Sequence, residues 1–568
     1  MKLFSDLCQY VIEQDRISKK RTEKHWQSLP YEIEDVKGEM LLAGECTAPE
    51  PITLRLNVKG WYKIFLCFIN MRSDNYVYFK LTDDTAYHGI RNYTQNSPHT
   101  WCTTEFAHEV YWKCADMTGQ DLIIDKPHDT KENVACVAWV KLIPMTEDEV
   151  TEYQNIKNDK DNRCVHFHTD TDRNYEDSID SDEALLNQEG QLGGTDIGEC
   201  SVEIPLDFDG IFDLDHVQLL DGRGRRYDRK YFQFYKKTDE VYPKRVNLLH
   251  RSDIKAYAAI RMSMCSFHAP LDIKSYKMHF AEEHPECYCI MRDKSVVNVC
   301  SYAYPEVRKH VIDWCRKSMS YGFDGVTLMF IRGLHIAFEP PVIKRFNELY
   351  PDIDPFTLPM KDERLNGVWC EFMTQFMREL KAALPDIRIN VLLGYSPETA
   401  LNEGLDVKTW AKEGLIDSVL QGHMMTYEDL DGCLRKDETI DLEKYNRLIR
   451  TKQIIRRKFD NDFEFTLEGA KKYLEICKEY DIDFSAAITW PRNIPYEKYP
   501  YYANELREIG VKKFFCLNAN QIIWNLPEFH MASSLGHDSK IEAELSHYYK
   551  VNSIDNVNIS AFNPNWRG

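Results

Sequence analysis

The stretch SYAYPEVRKHVIDWCRKSMSYGFDGVTLMFIRGLHIAFE, from Ser301 to Glu339, decides how this chain reads. Pro305 opens a helix, at a turn where its missing N–H would have no partner anyway. A glycine turn follows, then a strand from Val326 to Ile331 that is apolar on both faces. Such a strand needs cover on both sides, the condition of a parallel strand inside an α/β fold. Arg332, His335 and Glu339 gather in the loop beyond it. In parallel α/β folds, chemistry is done just past the C-terminal ends of strands.

Working outward, strands alternate with helical patterns from Arg163 onward, the mark of βα repetition. Eight candidate strands are legible: CVHFH, AYAAI, CYCI, GVTLMFI, RINVLL, DSVLQ, DFSAAIT and KFFCLN. Between them, the helix from Leu365 to Leu384 keeps a 3.6-residue apolar period until Pro385 stops it. The pattern predicts an α/β chain whose main domain, residues 163–538, is a (β/α)8 TIM barrel. A long stretch at about 178–251, rich in Asp, Gly and Arg, is expected as an insertion lying over the active face.

Residues 31–146 lack helical periodicity and carry short β-branched and aromatic runs between turn signals. They predict an antiparallel β-sandwich, jelly-roll-like and carbohydrate-binding-like. Trp61, Trp101 and Trp112 are read there as core or interdomain packing before sugar platforms. Residues 147–162 are charged and read as a linker or solvated helix. Within residues 1–30, Leu3, Phe4, Leu7 and Val11 recur at helical spacing, which predicts an amphipathic helix. Asp6 and Gln9 interrupt any signal-peptide core. In the tail, 539–568, the run NVNISAFNPNWRG alternates polar and apolar residues and is expected to add a strand to the sandwich.

The 568 residues predict two domains, and 43% hydrophobic with 29% charged residues is globular composition. A net charge of −20 argues against nucleic acid and anionic membranes as partners. No run approaches the roughly 18 apolar residues of a membrane span. The 17 cysteines include no CxxC pair. Cys67, Cys136 and Cys516 sit in apolar strands, and Cys287 and Cys289 share one strand face. Free thiols, a reducing cytoplasm and no metal or cofactor are the expectation.

AYPEVR followed by a helix and GFDGVTLMFIRG resembles the bacterial family-10-like glycoside hydrolases, a group of TIM-barrel proteins. AYAAIRM, HPECYC, GLDVKTWAKEGLIDSVL and SSLGHD extend the resemblance over Ile254 to Asp538. It implies cleavage of an oligosaccharide or small glycoside by two carboxylates at the C-terminal face of the barrel. Related proteins often carry an acidic residue inside the fourth strand, where this chain has Met329. A homo-oligomer is compatible with the sequence.

Glycoside hydrolysis needs two carboxyl groups flanking the scissile bond. Glu339, just past the fourth strand, is the first candidate, with Arg332 expected to hold it ionised. Glu428, beyond the sixth strand and beside Tyr427, is the second. Asp429, Glu403, Asp170 and Asp172 are alternatives, while Asp324 reads as a turn residue at the opposite face. Arg261 and Arg332 are expected to converge on the barrel mouth, because arginine at a buried strand end requires an anionic partner. Tyr395 and Trp490 offer faces for a sugar ring. Arg492, Gln421, Asn518 and Asp172 complete the expected substrate contacts. Two other classes remain open. One is an amidohydrolase-like metal enzyme using His166 and His168, for which only His423 adds a ligand. The other is a glycan-binding protein without turnover.

Overall fold

The computed structural model describes residues 1–44, 47–70, 76–91, 106–126, 134–170, 181–204, 234, 237–263, 279–331, 335–359, 362–422, 462–489, 499–537, 552–554 and 557–558. Two sheets, almost wholly antiparallel, make up the N-terminal part. The larger runs in the order Ile17–Ser18, Trp26–Ile33, Val36–Ala43, Ala135–Pro144, Trp61–Asn70, Phe106–Asp116 and Asn552–Ile554. The smaller contains Ile52–Leu54, Leu122–Asp125, Tyr76–Leu81 and His88–Arg91. Leu122–Asp125 alternates buried and half-buried residues, so one of its faces packs inward. Phe68 of the larger sheet meets Phe79 of the smaller at 5.8 Å, and Trp112 meets Phe79 edge-on at 4.9 Å. Trp112 is therefore core, while Trp101 lies outside the described residues.

The helix expected in residues 1–30 is not formed. Lys2–Phe4 is a strand paired with Val140–Leu142, followed by 3-10 turns at Leu7–Tyr10 and Gln14–Arg16. Leu7 and Val11 are buried in the sandwich core. A short helix is marginal by itself, and here the sheet supplies both the hydrogen-bond partners and the apolar cover. Helix α1, Glu147–Asn158, starts with a capping box between Thr146 and Glu149 and buries no residue. At the other end of the chain, Asn552–Ile554 pairs with Ala107–Glu109, and Val557–Asn558 pairs with Glu32–Ile33.

Eight parallel strands close into a barrel. They are β1 (Val165–Thr169), β2 (Ile197–Glu203), β3 (Lys255–Arg261), β4 (Gly325–Met329), β5 (Arg388–Leu393), β6 (Ser418–Gln421), β7 (Asp483–Thr489) and β8 (Lys513–Cys516). Closure comes from β8 pairing with β1. Two assignments made from the sequence are corrected. CYCI is no barrel strand: Tyr288–Ile290 pairs antiparallel with Val296–Cys300 as a separate two-stranded sheet between β3 and β4. The second barrel strand is IGECSVE, inside the stretch read as an insertion. It escaped notice because Glu199, Ser201 and Glu203 alternate along it. That polarity is unlike the apolar runs expected of a strand buried on both faces.

The barrel interior is layered. Near the N-terminal ends of the strands, Lys513 Nζ lies 2.8 Å from Glu199 and 3.0 Å from Asp483, and Arg388 pairs with the same Asp483. His166 Nε2 is 2.7 Å from Ser201 Oγ, which is 2.7 Å from Thr327 Oγ1. The next inward positions on β3–β6 and β8 are apolar: Ala259, Met329, Leu392, Leu420 and Phe515 pack as one cluster with Ile331 and Leu517. Alternation with period two puts every second residue of a strand into these layers.

Sandwich and barrel are packed directly on each other. Trp524, just past β8, lies tilted against Tyr78 at 5.4 Å and meets Tyr76 edge-on. Gly89 lets it approach, since a Cβ there would lie 2.4 Å from the indole ring.

Candidate active site

Four side chains converge where β1, β2 and β3 end: His168, Asp170, Glu203 and Arg261. Arg261 Nη2 lies 2.8 Å from Glu203 Oε1, 3.1 Å from Oε2 and 3.8 Å from Asp170 Oδ2. The two carboxylates thus share one guanidinium nitrogen. The separation of Asp170 Oδ2 from Glu203 Oε1 can be no more than the sum of their distances to it, about 6.6 Å. The side chains of Glu203 and Arg261 keep 10% and 12% of their surface accessible, whereas Asp170 and His168 are buried more deeply.

The loop after β8 fixes the end of β1. Ala519 N–H donates to the His168 carbonyl at 2.7 Å, and Asn518 N–H donates to His168 Nδ1 at 3.3 Å. Asn518 has a φ of 53°, a left-handed conformation that asparagine tolerates better than most residues. Because Nδ1 accepts a backbone proton, the neutral ring carries its own proton on Nε2, assigned from this network. That nitrogen is 3.7 Å from Glu203 Oε2. Asn520 Oδ1 accepts from Asp170 N–H at 2.6 Å.

A buried ion pair supports the same corner from behind. On helix α3, Thr238–Arg251, Arg245 donates to Glu189 Oε1 from Nε at 2.8 Å and from Nη2 at 2.5 Å. Nη2 also donates to Thr169 Oγ1 at 3.0 Å, next to Asp170. Glu189 ends helix α2, Asp182–Glu189, and neither side chain of the pair reaches solvent. Charges taken this far from water persist only when well paired.

The expected residues fall into three groups. Arg261 sits at the mouth, at the end of the third strand instead of the second, and its partners are Glu203 and Asp170. Tyr395 and Asn518 lie half-buried just past β5 and β8. Arg332, Glu428, Trp490, Arg492 and Asp172 lie outside the described residues, as do Asp429 and His423.

Glu339 is described and has a different setting from the one expected. It caps helix α4, Pro340–Leu349, and has no exposed surface. Its carboxylate accepts Ala337 N–H at 3.0 Å and Ile290 N–H at 3.2 Å, tying the Tyr288–Ile290 strand to the loop after β4. Burial pushes its pKa above the usual carboxylate range, against the opposing pull of these backbone hydrogen bonds and of Ser301. That direction is opposite to an acid held ionised by a neighbouring cation. His335 is buried beside Phe330, and burial pushes its pKa down to about 3. Gln421 is fully buried and donates to the carbonyls of Tyr395 at 2.9 Å and Thr466 at 3.0 Å, so both its amide hydrogens are used within the frame. Glu403 lies half-buried after a short helix beyond β5. Asp324 lies at the start of β4, where it accepts Ala256 N–H at 2.8 Å and stands 2.9 Å from His250 Nε2.

His166 and His168, the pair a metal site would need, have separate engagements. His166 sits between Ser201 and Glu199, 3.1 Å from the latter, and His168 takes the Asn518 amide. Among the described residues no three His, Cys, Asp or Glu side chains are grouped to hold a metal ion. Glu203 was missed in the sequence because its strand was missed. The alternating acids of IGECSVE, with Arg261 waiting for a partner, were the available signal.

No family model and no curated protein sequence matches the chain. Solved structures that are similar in part include glycoside hydrolases. The glycoside hydrolase domain of PelA from Pseudomonas aeruginosa is 11% identical, with 63% of this chain and 95% of that chain covered and a TM-score of 0.31. The α-galactosidase TtGalA from Thermus thermophilus is 9% identical over 94% of this chain and 99% of that one, with a TM-score of 0.35. A β-galactosidase from Bacillus circulans sp. alkalophilus is 12% identical over 66% and 55%, with a TM-score of 0.37. These superpositions are loose, so the reading of the mouth rests on its own side chains. Among the described residues no helix is long and apolar enough to cross a membrane.

Proposed function

We propose that the chain is a glycoside hydrolase of the family-10-like kind, acting on an oligosaccharide or small glycoside with Glu203 and Asp170 as its carboxylates. The observation that carries this reading is the pair of acids gathered on one guanidinium nitrogen at the C-terminal ends of adjacent barrel strands. Retaining enzymes place their carboxyl groups about 5–5.5 Å apart and inverting ones about 6.5–9.5 Å. The cap of about 6.6 Å between Asp170 Oδ2 and Glu203 Oε1 fits either spacing, and the retaining route is the one put to the test below. Glu203, the acid in closer contact with Arg261, then attacks the anomeric carbon. Asp170 protonates the departing glycosidic oxygen, and later takes a proton from the water that releases the sugar from Glu203. Arg261 and His168 orient Glu203, and Asn520 and Thr169 fix the backbone beside Asp170. Every cysteine among the described residues is a free thiol, which supports a reducing compartment.

The test is hydrolysis of a panel of aryl glycosides and neutral and acidic oligosaccharides, repeated after EDTA and with Glu203→Gln. Turnover that survives EDTA and is lost in the variant supports the reading, as does a product of retained anomeric configuration by NMR. Undiminished turnover in Glu203→Gln and Asp170→Asn would remove it. Binding across the panel without turnover would favour a glycan-binding protein.

A further inference from the structure

A cavity of about 230 Å³ lies between the N-terminal sheets and the flank of the barrel. Its wall is formed by the strand carrying Tyr111 to Cys114, helix α1, the turn Gly193–Asp196 and helix α5, Leu526–Ser533. Gly193–Asp196 leads into the N-terminal end of β2, so the cavity is remote from the mouth where β2 ends.

Most charges on this wall are matched within the protein. Lys63 Nζ is 2.8 Å from Glu149, Lys113 Nζ is 2.5 Å from Asp84, and Asp196 is 2.5 Å from His537. Lys157 differs. Among the described residues it has no carboxylate within ion-pair distance, and its ammonium stands 5.2 Å over the Tyr153 ring. The side chain as a whole is exposed, and partial burial on the cavity side pulls its pKa below the usual lysine value. His88 adds a donor. Its Nδ1 accepts the Trp112 indole N–H at 2.6 Å, so the neutral ring, favoured by its burial, carries a proton on Nε2. Glu152 is the one described carboxylate on the wall without an ion pair.

We propose that this cavity binds a small organic carboxylate about the size of one sugar ring, with its carboxylate on Lys157 and His88 and its body against Tyr153. Ammonium and imidazole donors to one carboxylate are charge-assisted contacts, and aromatic walls with a few convergent polar groups at a domain interface are the usual form of a small-molecule site. The volume has room for a single ring and not for an oligosaccharide. A hexuronate and a simple aromatic acid share this chemistry.

The full-length protein is titrated calorimetrically with glucuronate, benzoate and glucose. At least one carboxylate is expected to bind and glucose is not; which acid binds tells a sugar acid from a plain organic acid. Lys157→Met, on a helix that buries no residue, should weaken binding at least about 10-fold, the worth of one charged contact. Lys157→Arg should stay within about 3-fold. Arg261→Met should leave the affinity unchanged, which separates this cavity from the mouth. Failure of both acids to bind, equal binding by Lys157→Met, or loss of binding in Arg261→Met overturns the proposal.

Discussion

The two ends of the barrel carry charged groups on the same strands, and they are built to different rules. At the N-terminal end, Glu199 and Asp483 face Lys513 and Arg388, two acids for two bases, each within reach of an opposite charge. At the C-terminal end, Asp170 and Glu203 both reach Arg261, and Glu203 also lies 3.7 Å from His168 Nε2. The difference is one of place: the first network ties strands together beneath the apolar layer, whereas the second stands at the C-terminal strand ends, where parallel barrels do their chemistry.

The largest effect expected from breaking this contrast is on turnover. Glu203→Gln keeps shape and hydrogen bonding to Arg261, yet should lower kcat by about 10²–10⁴-fold, as should Asp170→Asn, with circular dichroism unchanged. Lys513→Met at the other end should leave kcat within a few-fold. Equal losses at both ends would erase the distinction.

Next comes the support behind the mouth. Arg245→Met strands Glu189 in a fully buried site and should cost about 3–5 kcal/mol of stability, measured by urea unfolding. Glu189→Gln with Arg245→Met should recover part of that loss, since the isolated charge is then gone.

Glu339→Gln separates framework from chemistry at a third place. Its amide can no longer satisfy both Ala337 N–H and Ile290 N–H, so a loss of about 1–3 kcal/mol is expected with kcat nearly intact. A collapse of kcat in a variant of wild-type stability would return Glu339 to the catalytic pair.

The smallest effects lie in the pH dependence of stability, and they have opposite signs. Burial raises the pKa of Glu199, but His166 and Lys513 outweigh it and hold the group well below the usual range. Its contribution is present above the unfolded value of about 4.3 and is lost as pH falls toward the folded value, so Glu199→Gln should flatten the acid limb. Glu339 is raised instead, chiefly by burial. The folded state keeps its proton longer, and stability falls as pH rises from about 4.3 to the folded value. Glu339→Gln should remove that slope.

Much of this fold was legible in the chain. Val326 to Ile331 read as a buried parallel strand because it is apolar on both faces, RINVLL read as one from its place in the βα alternation, and the short aromatic runs before Pro144 read as sheets because β-branched and aromatic residues suit a half-buried pleat. The same rule failed at IGECSVE and CYCI. It takes apolarity as the sign of a barrel strand, whereas β1 and β2 turn polar residues inward along their length and β4 turns both Thr327 and Met329 inward. Helical spacing failed at Leu3 to Val11, where a sheet edge competed with a helix and won. Arg261 could be singled out by itself, since an arginine at a strand end demands an anion. Its partners could not, because Asp170 and Glu203 lie far from it in sequence and meet it only when β1, β2 and β3 stand side by side. Sequence determined which residues are apolar, charged or turn-forming, for these are properties of single side chains and their spacing. Tertiary structure alone decided which acids share a cation, because ion pairing across strands depends on barrel closure and register, which no local pattern encodes.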